Sequence, residues 1–122
     1  MLPGPANDAG PGGRDTDMST AAAQLSGDIE LVVEDGVRVL RLRGEVDSLT
    51  VDAWQASPDG PPVEAVDASA ATFMDARGLR MMVRATEPAR RSGHVPELRA
   101  PSRTVRRILE IAGATPLFAT VG

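Results

Sequence analysis

Residues 72–91 read TFMDARGLRMMVRATEPARR, and their spacing decides the fold. Leu79, Met82, Val83 and Thr86 recur at i, i+3, i+4 and i+7, the period of one buried helix stripe. Arg77, Arg80, Arg84 and Arg91 cluster on the opposite face of the same helix. Asp75 stands just before the stripe, where it can cap the helix and shape the turn. Pro88 removes the hydrogen bond to the Arg84 carbonyl, at a cost of up to ~3 kcal/mol in a helix interior. That predicts a kink, or a helix that ends near Glu87, and Gly93 closes the segment. Met81 falls beside the arginines and is expected to be exposed there; a core position next to Met82 is the alternative.

Upstream, residues 63–68 read as a weak strand, and the Pro/Gly-rich residues 57–62 before them as a loop. Leu49, Ala53 and Trp54 give the inward side of a short helix that Asp47 or Ser48 can cap. Residues 29–33 and 37–42 are β-branched-rich runs around Glu34-Asp35-Gly36, and Asp-Gly between such runs signals a hairpin. Downstream, residues 95–98 form a strand that Pro96 restricts to an edge-like or very short one. Ser102 caps a last helix with Val105, Ile108, Leu109 and Ala112 as its apolar stripe and Gly113 as its C-cap. Residues 117–121 read as a final strand. The order β-β-α-β-α-β-α-β predicts an α/β sandwich: a mixed sheet of about five strands with three main helices.

Composition narrows the chemistry. At 122 residues the chain has room for one domain with a core of modest size. It has no Cys, which excludes a disulfide scaffold, a thiolate nucleophile and every Cys-containing zinc site. The single His leaves no two-histidine metal site, and a Ser-His-Asp triad could form only around His94. All 13 basic residues are Arg, so Schiff-base chemistry and a Walker-type phosphate Lys are excluded. Two Phe, one Trp and no Tyr argue against base-stacking platforms. Acidity is concentrated in residues 1–75 and basicity in residues 76–122, which hints at an acidic and a basic surface on one body. Residues 1–27, rich in Gly and Pro, are expected to be a disordered tail. No signal peptide and no run of ~18 apolar residues is present.

Three segments carry a family resemblance. Gly44-Glu45-Val46-Asp47 resembles the Gly-Glu-Leu-Asp turn of the STAS domain of bacterial anti-sigma-factor antagonists. Thr72-Phe73-Met74-Asp75-Ala76-Arg77-Gly78-Leu79 resembles the family's Thr-Phe-Leu-Asp-Ser-Ser-Gly-Leu turn. Ala100-Pro101-Ser102, with Val105-Arg106-Arg107-Ile108-Leu109 and Gly113, is similar to its last strand-to-helix segment. The three lie in the family's order, so residues 28–122 are expected to form one STAS domain. The resemblance implies a cytoplasmic binding module without cofactor or catalysis. Family members dock on an anti-sigma factor with an ATPase-kinase fold, which phosphorylates the first Ser of the Asp-Ser-Ser-Gly turn and so ends the complex. A phosphate suits a helix N-terminus, and its charge beside carboxylates inside an interface breaks docking.

This sequence departs from that pattern at the acceptor itself. Ala76 and Arg77 replace the two serines, so the usual phosphorylation has no hydroxyl to use. Thr72, Ser48 and Ser69 are the alternative hydroxyls. Arg77 in a first helical turn opposes the macrodipole by about 0.3–1 kcal/mol, which Asp47 or Asp75 could offset. The stretch between Asp47 and Asp67 is shorter than in antagonists, which shortens the first helix. The resulting expectation is an unphosphorylatable module that binds an anti-sigma factor through Asp47, Ser48, Asp75, Ala76, Arg77, Gly78, Arg80, Met81 and Arg84. An accessory subunit of a stress complex or a lipid-transport ABC system is the alternative, as is a nucleotide or small-ligand sensor. Nucleic acid is not expected, given the net charge of −4.

Overall fold

The structure, a computed structural model, describes residues 27–54 and 61–122. The expected tail therefore lies outside the described residues except for Gly27, and so does most of the expected loop at 57–62. Strands β1 (Gly27–Glu34) and β2 (Val37–Val46) are followed by helix α1 (Ser48–Ala53) and strand β3 (Val63–Met74). Then come α2 (Ala76–Arg91), β4 (Glu97–Arg99), α3 (Arg103–Ala112), a 3₁₀ turn (Thr115–Leu117) and β5 (Ala119–Val121). The five strands form one mixed sheet in the order β1-β2-β3-β4-β5. β1 and β2 are an antiparallel hairpin; β2–β3, β3–β4 and β4–β5 are parallel. The hairpin turns on Asp35 and Gly36, both at positive φ (53° and 80°), which is the twist that a two-residue hairpin needs.

Three successive parallel crossovers in one direction are right-handed, so all three helices lie on the same sheet face. A single core fills the space between them. Leu40, Leu42, Val46, Val66, Met74 and Leu98 from the sheet meet Leu79, Met82, Val105 and Leu109 from the helices, each under a tenth exposed. Ser102 and Gly113 cap α3 as expected: Ser102 Oγ accepts from Val105 N at 3.3 Å, and Gly113 adopts φ 70°.

Three local expectations are corrected and a fourth is met. α2 does not end at Glu87 but runs to Arg91 with Pro88 inside it. Pro88 stands in the last turn on an exposed position, so the freed Arg84 carbonyl faces out, and Ser92 N and Oγ recover Pro88 O at 3.2 and 3.1 Å. β3 extends to Met74, twice the expected length, because it pairs with β2 up to Val46 through three register shifts. Leu49 and Ala53 are exposed rather than inward; Thr50 turns in instead, its Oγ1 donating to Glu45 O at 3.0 Å. β4 is very short, as expected, and lies inside the sheet between β3 and β5, with Pro96 just before it, where its carbonyl accepts from Ala119 N at 2.9 Å.

The far face of the sheet carries no described helix. Val39 and Ala65 pair across it and are fully buried, yet they sit outside the main core cluster. Around them runs a lattice of charge. Glu34 accepts from Arg41 at 2.9 Å and from Arg99 at 3.0 Å, Arg99 also pairs with Glu97 at 3.0 Å, and Arg43 and Arg41 reach Glu30 at 3.8 and 3.9 Å. Hydrogen bonding to Glu97 holds the Arg99 guanidinium even more firmly protonated than usual; burial works against this, and the bond and charge of Glu34 add to it. Burial works against ionisation of Asp67, but bonds from the Ser69 hydroxyl and amide, with Arg41 and Arg99 nearby, hold its carboxyl below the ordinary aspartate range.

Candidate functional site

Glu45 pairs with Phe73 and Val46 with Met74, so Asp47 and Asp75 leave neighbouring parallel strands side by side. The two aspartates repeat one local design. Asp47 Oδ1 accepts from Thr50 N at 3.0 Å and caps α1; Asp75 Oδ1 accepts from Gly78 N at 2.9 Å and caps α2. The second oxygen of Asp75 ties the two helix starts together, accepting from Ser48 N at 3.2 Å and Ser48 Oγ at 3.4 Å. Asp75 N donates to Val46 O at 3.3 Å. Gly78 makes the close approach possible: a Cβ there would stand 2.4 Å from Val46 O. Sequence spacing thus places Asp47, Ser48, Asp75 and Gly78 together, as expected, at the carboxyl ends of parallel strands, where α/β folds build their sites.

Ala76 and Arg77 open α2 with exposed side chains. The Arg77 guanidinium is not offset by Asp47 or Asp75. It pairs with Asp52 on α1, a residue that sequence spacing did not single out. α1 is too short to show a periodic face, so its pairing with a helix 25 residues away had no local signal. Arg80 and Arg84 are exposed as expected, and neither has an ion-pair partner among the described residues. Met81 is corrected: it is buried, at 8 % exposed. It and Ala85 face α1, and with Trp54 and Arg84 they line a surface groove of about 300 Å³. Trp54, half-buried beyond the end of α1, was the readable signal for that groove, being the chain's one Trp.

The other candidates are scattered. Ser48 alone of the alternative hydroxyls bonds within the turn; Thr72 is exposed on β3, and Ser69 Oγ donates to Asp67 Oδ1 at 2.7 Å. His94 lies 3.1 Å from Glu64, near the start of β3, whereas Asp75 follows its end. Ten residues of strand, roughly 33 Å, separate His94's partner from the turn, so no Ser-His-Asp constellation forms there. No group of three or more metal-ligating residues occurs among the described residues. Among them, too, no helix is long and apolar enough to cross a membrane.

A family model for the STAS domain covers residues 28–122, the whole sheet and all three helices. The chain belongs to the STAS domain family. Solved structures agree with the family model. An anti-sigma factor antagonist from Mycobacterium paratuberculosis is 26% identical, with a TM-score of 0.64 over 78% of this chain and 85% of that one. The Bacillus cell fate determinant SpoIIAA in its phosphorylated form is 21% identical and shares the fold, with a TM-score of 0.51 over 77% of this chain and 91% of that one. No curated protein matches the chain.

Proposed function

We propose that this STAS domain is a non-catalytic, cytoplasmic regulator of the anti-sigma-factor-antagonist type in a bacterial cell. It docks an anti-sigma factor of ATPase-kinase fold through Asp47, Ser48, the turn and helix start at residues 75–80, and the neighbouring Met81 and Arg84, and so frees a sigma factor. Similarity to the Mycobacterium paratuberculosis antagonist supports the class. The observation that carries the mechanism is the turn itself. Its architecture is complete, with Asp75 capping α2 and tied to Ser48, yet the exposed side chain at its head is the methyl of Ala76. A partner kinase that reads the turn finds no oxygen to phosphorylate, so the complex has no built-in release at this position.

The test uses purified kinase-fold anti-sigma factors from the source genome with ATP. The wild-type chain is expected to bind one of them and to keep its mass. Ala76→Ser is expected to gain one phosphate and then to dissociate. Phosphate on the wild type, mapped to Ser48, Thr72 or Ser69, would overturn the constitutive reading. Absence of binding to every kinase-fold protein would overturn the antagonist reading. A second reading, an accessory subunit of a lipid-transport ABC system, is favoured by one feature: α1 has only six residues and ends beside Trp54. Neighbouring transporter genes would support it, and a neighbouring anti-sigma kinase gene would count against it.

A further inference from the structure

Arginines on the two sides of the sheet are partnered differently. On the face opposite the helices Arg41, Arg43 and Arg99 are each within 4 Å of a carboxylate. On the helical side, Arg77 and Arg91 are paired with Asp52 and Glu87, whereas Arg80 and Arg84 on α2, like the exposed Arg103 and Arg107 on α3, meet no carboxylate among the described residues. Arg80 and Arg84 stand one turn apart on α2, so their side chains are neighbours on one stripe. Arg84 also forms part of the wall of the groove with Trp54, Met81 and Ala85. Trp, Met and Arg are residue types enriched where protein interfaces bury their centres, and a flexible Met adapts to an incoming side chain. At about 300 Å³ the groove has room for one large apolar side chain, and it is too shallow to enclose a cofactor.

We infer that the groove on α2 beside Trp54 receives an acidic segment of the partner protein. One large apolar side chain of that segment enters between Trp54, Met81 and Ala85, and flanking carboxylates pair with Arg80 and Arg84. This rests on the antagonist reading and adds to it the chemistry that the partner must present. It also places the energetic centre of docking to one side of the turn. The turn then sets position, and the groove supplies desolvated contact.

The experiment measures binding of the full chain to a kinase-fold anti-sigma factor by calorimetry and by the fluorescence of Trp54, the chain's one Trp. Three variants are compared after their folding is checked by circular dichroism. Ala85→Phe fills the groove. Arg80→Glu with Arg84→Glu reverses the charge of the stripe beside the groove. Arg103→Glu with Arg107→Glu makes the same change in net charge on α3, away from the groove. Expected are a shift of Trp54 emission on binding, a loss of at least about tenfold in affinity for the first two variants, and less than about threefold for the third. Affinities of the first two within about threefold of wild type would overturn the groove assignment and leave the antagonist reading standing. Equal losses from the α2 and α3 reversals would also overturn it, because net charge and not the groove would then govern docking. Failure of the wild type to bind any kinase-fold protein would bring down the antagonist reading, and this inference with it.

Discussion

Val39 and Leu40 are consecutive on β2, both fully buried, and point to opposite faces of one sheet. Leu40 joins the core beneath α1, α2 and α3; Val39 meets Ala65 and Val32 on the face that carries the lattice of Glu30, Glu34, Arg41 and Arg99. The two faces are held by different forces. The covered face is stabilised by apolar area removed from water, which is indifferent to salt. The bare face combines a small apolar centre with ion pairs that bridge β1, β2 and β4 and that water and salt can weaken. Burial alone therefore does not tell which side of this sheet holds the domain together.

Substitutions can break that comparison or sharpen it. Leu40→Ala is expected to have the largest effect, about 3 kcal/mol in urea unfolding, because the helices packed over that face limit collapse of the cavity. Val39→Ala is expected to cost about 1.5 kcal/mol, near the transfer value of two methylenes, since no described helix is packed over that face and its side chains can relax over the gap. Equal losses at the two positions would show that the faces are packed alike.

The lattice itself should respond to solvent conditions. Glu34→Gln leaves Arg41 and Arg99 without their shared carboxylate and is expected to cost about 1 kcal/mol at low salt, falling toward zero near 1 M. A loss that does not change with salt would point to packing by the Glu34 stem. The smallest effect belongs to Asp67→Asn. The folded carboxyl titrates below its unfolded range, so its contribution is present above that range and lost as pH falls through the lowered folded value. The variant should melt slightly below wild type at pH 7 and level with it under strongly acid conditions. A difference that grew on acidification would refute the sign of this linkage.

Much of this was legible in the chain because local rules agreed with one another. The α2 stripe, the caps at Asp47, Asp75, Ser102 and Gly113, and the Asp35-Gly36 turn all specify one architecture. The errors fall where a neighbour far along the chain decides. Met81 lies between the apolar and charged stripes of a lone helix, and only the packing of α1 and Trp54 against that flank buries it. Arg77 pairs with Asp52, while Asp47 and Asp75 spend oxygens on caps. The bare-face lattice had a signal that periodicity of apolar residues does not capture. Asp28, Glu30 and Glu34 alternate on β1 opposite Arg41 and Arg43 on β2, a period of two written in charge. The asymmetry between the acidic and basic halves of the chain is likewise partly spatial. α2 and α3 carry eight of the 13 arginines on the helical layer, and the acids of β1 are drawn into pairs on the other side.

The Asp35-Gly36 turn has a kinetic consequence. Its two residues close β1 on β2 with no crossover to wait for, and hairpins of this kind form in about 1–10 μs. Each parallel pairing must bring together strands separated by a helix, and Glu34 meets Arg99 across 65 residues of chain. The hairpin is therefore expected to form first, with β3, β4 and β5 added to it afterwards. A substitution that spoils the turn, such as Gly36→Val, should slow refolding, whereas one in β5, the last strand to dock, should chiefly hasten unfolding.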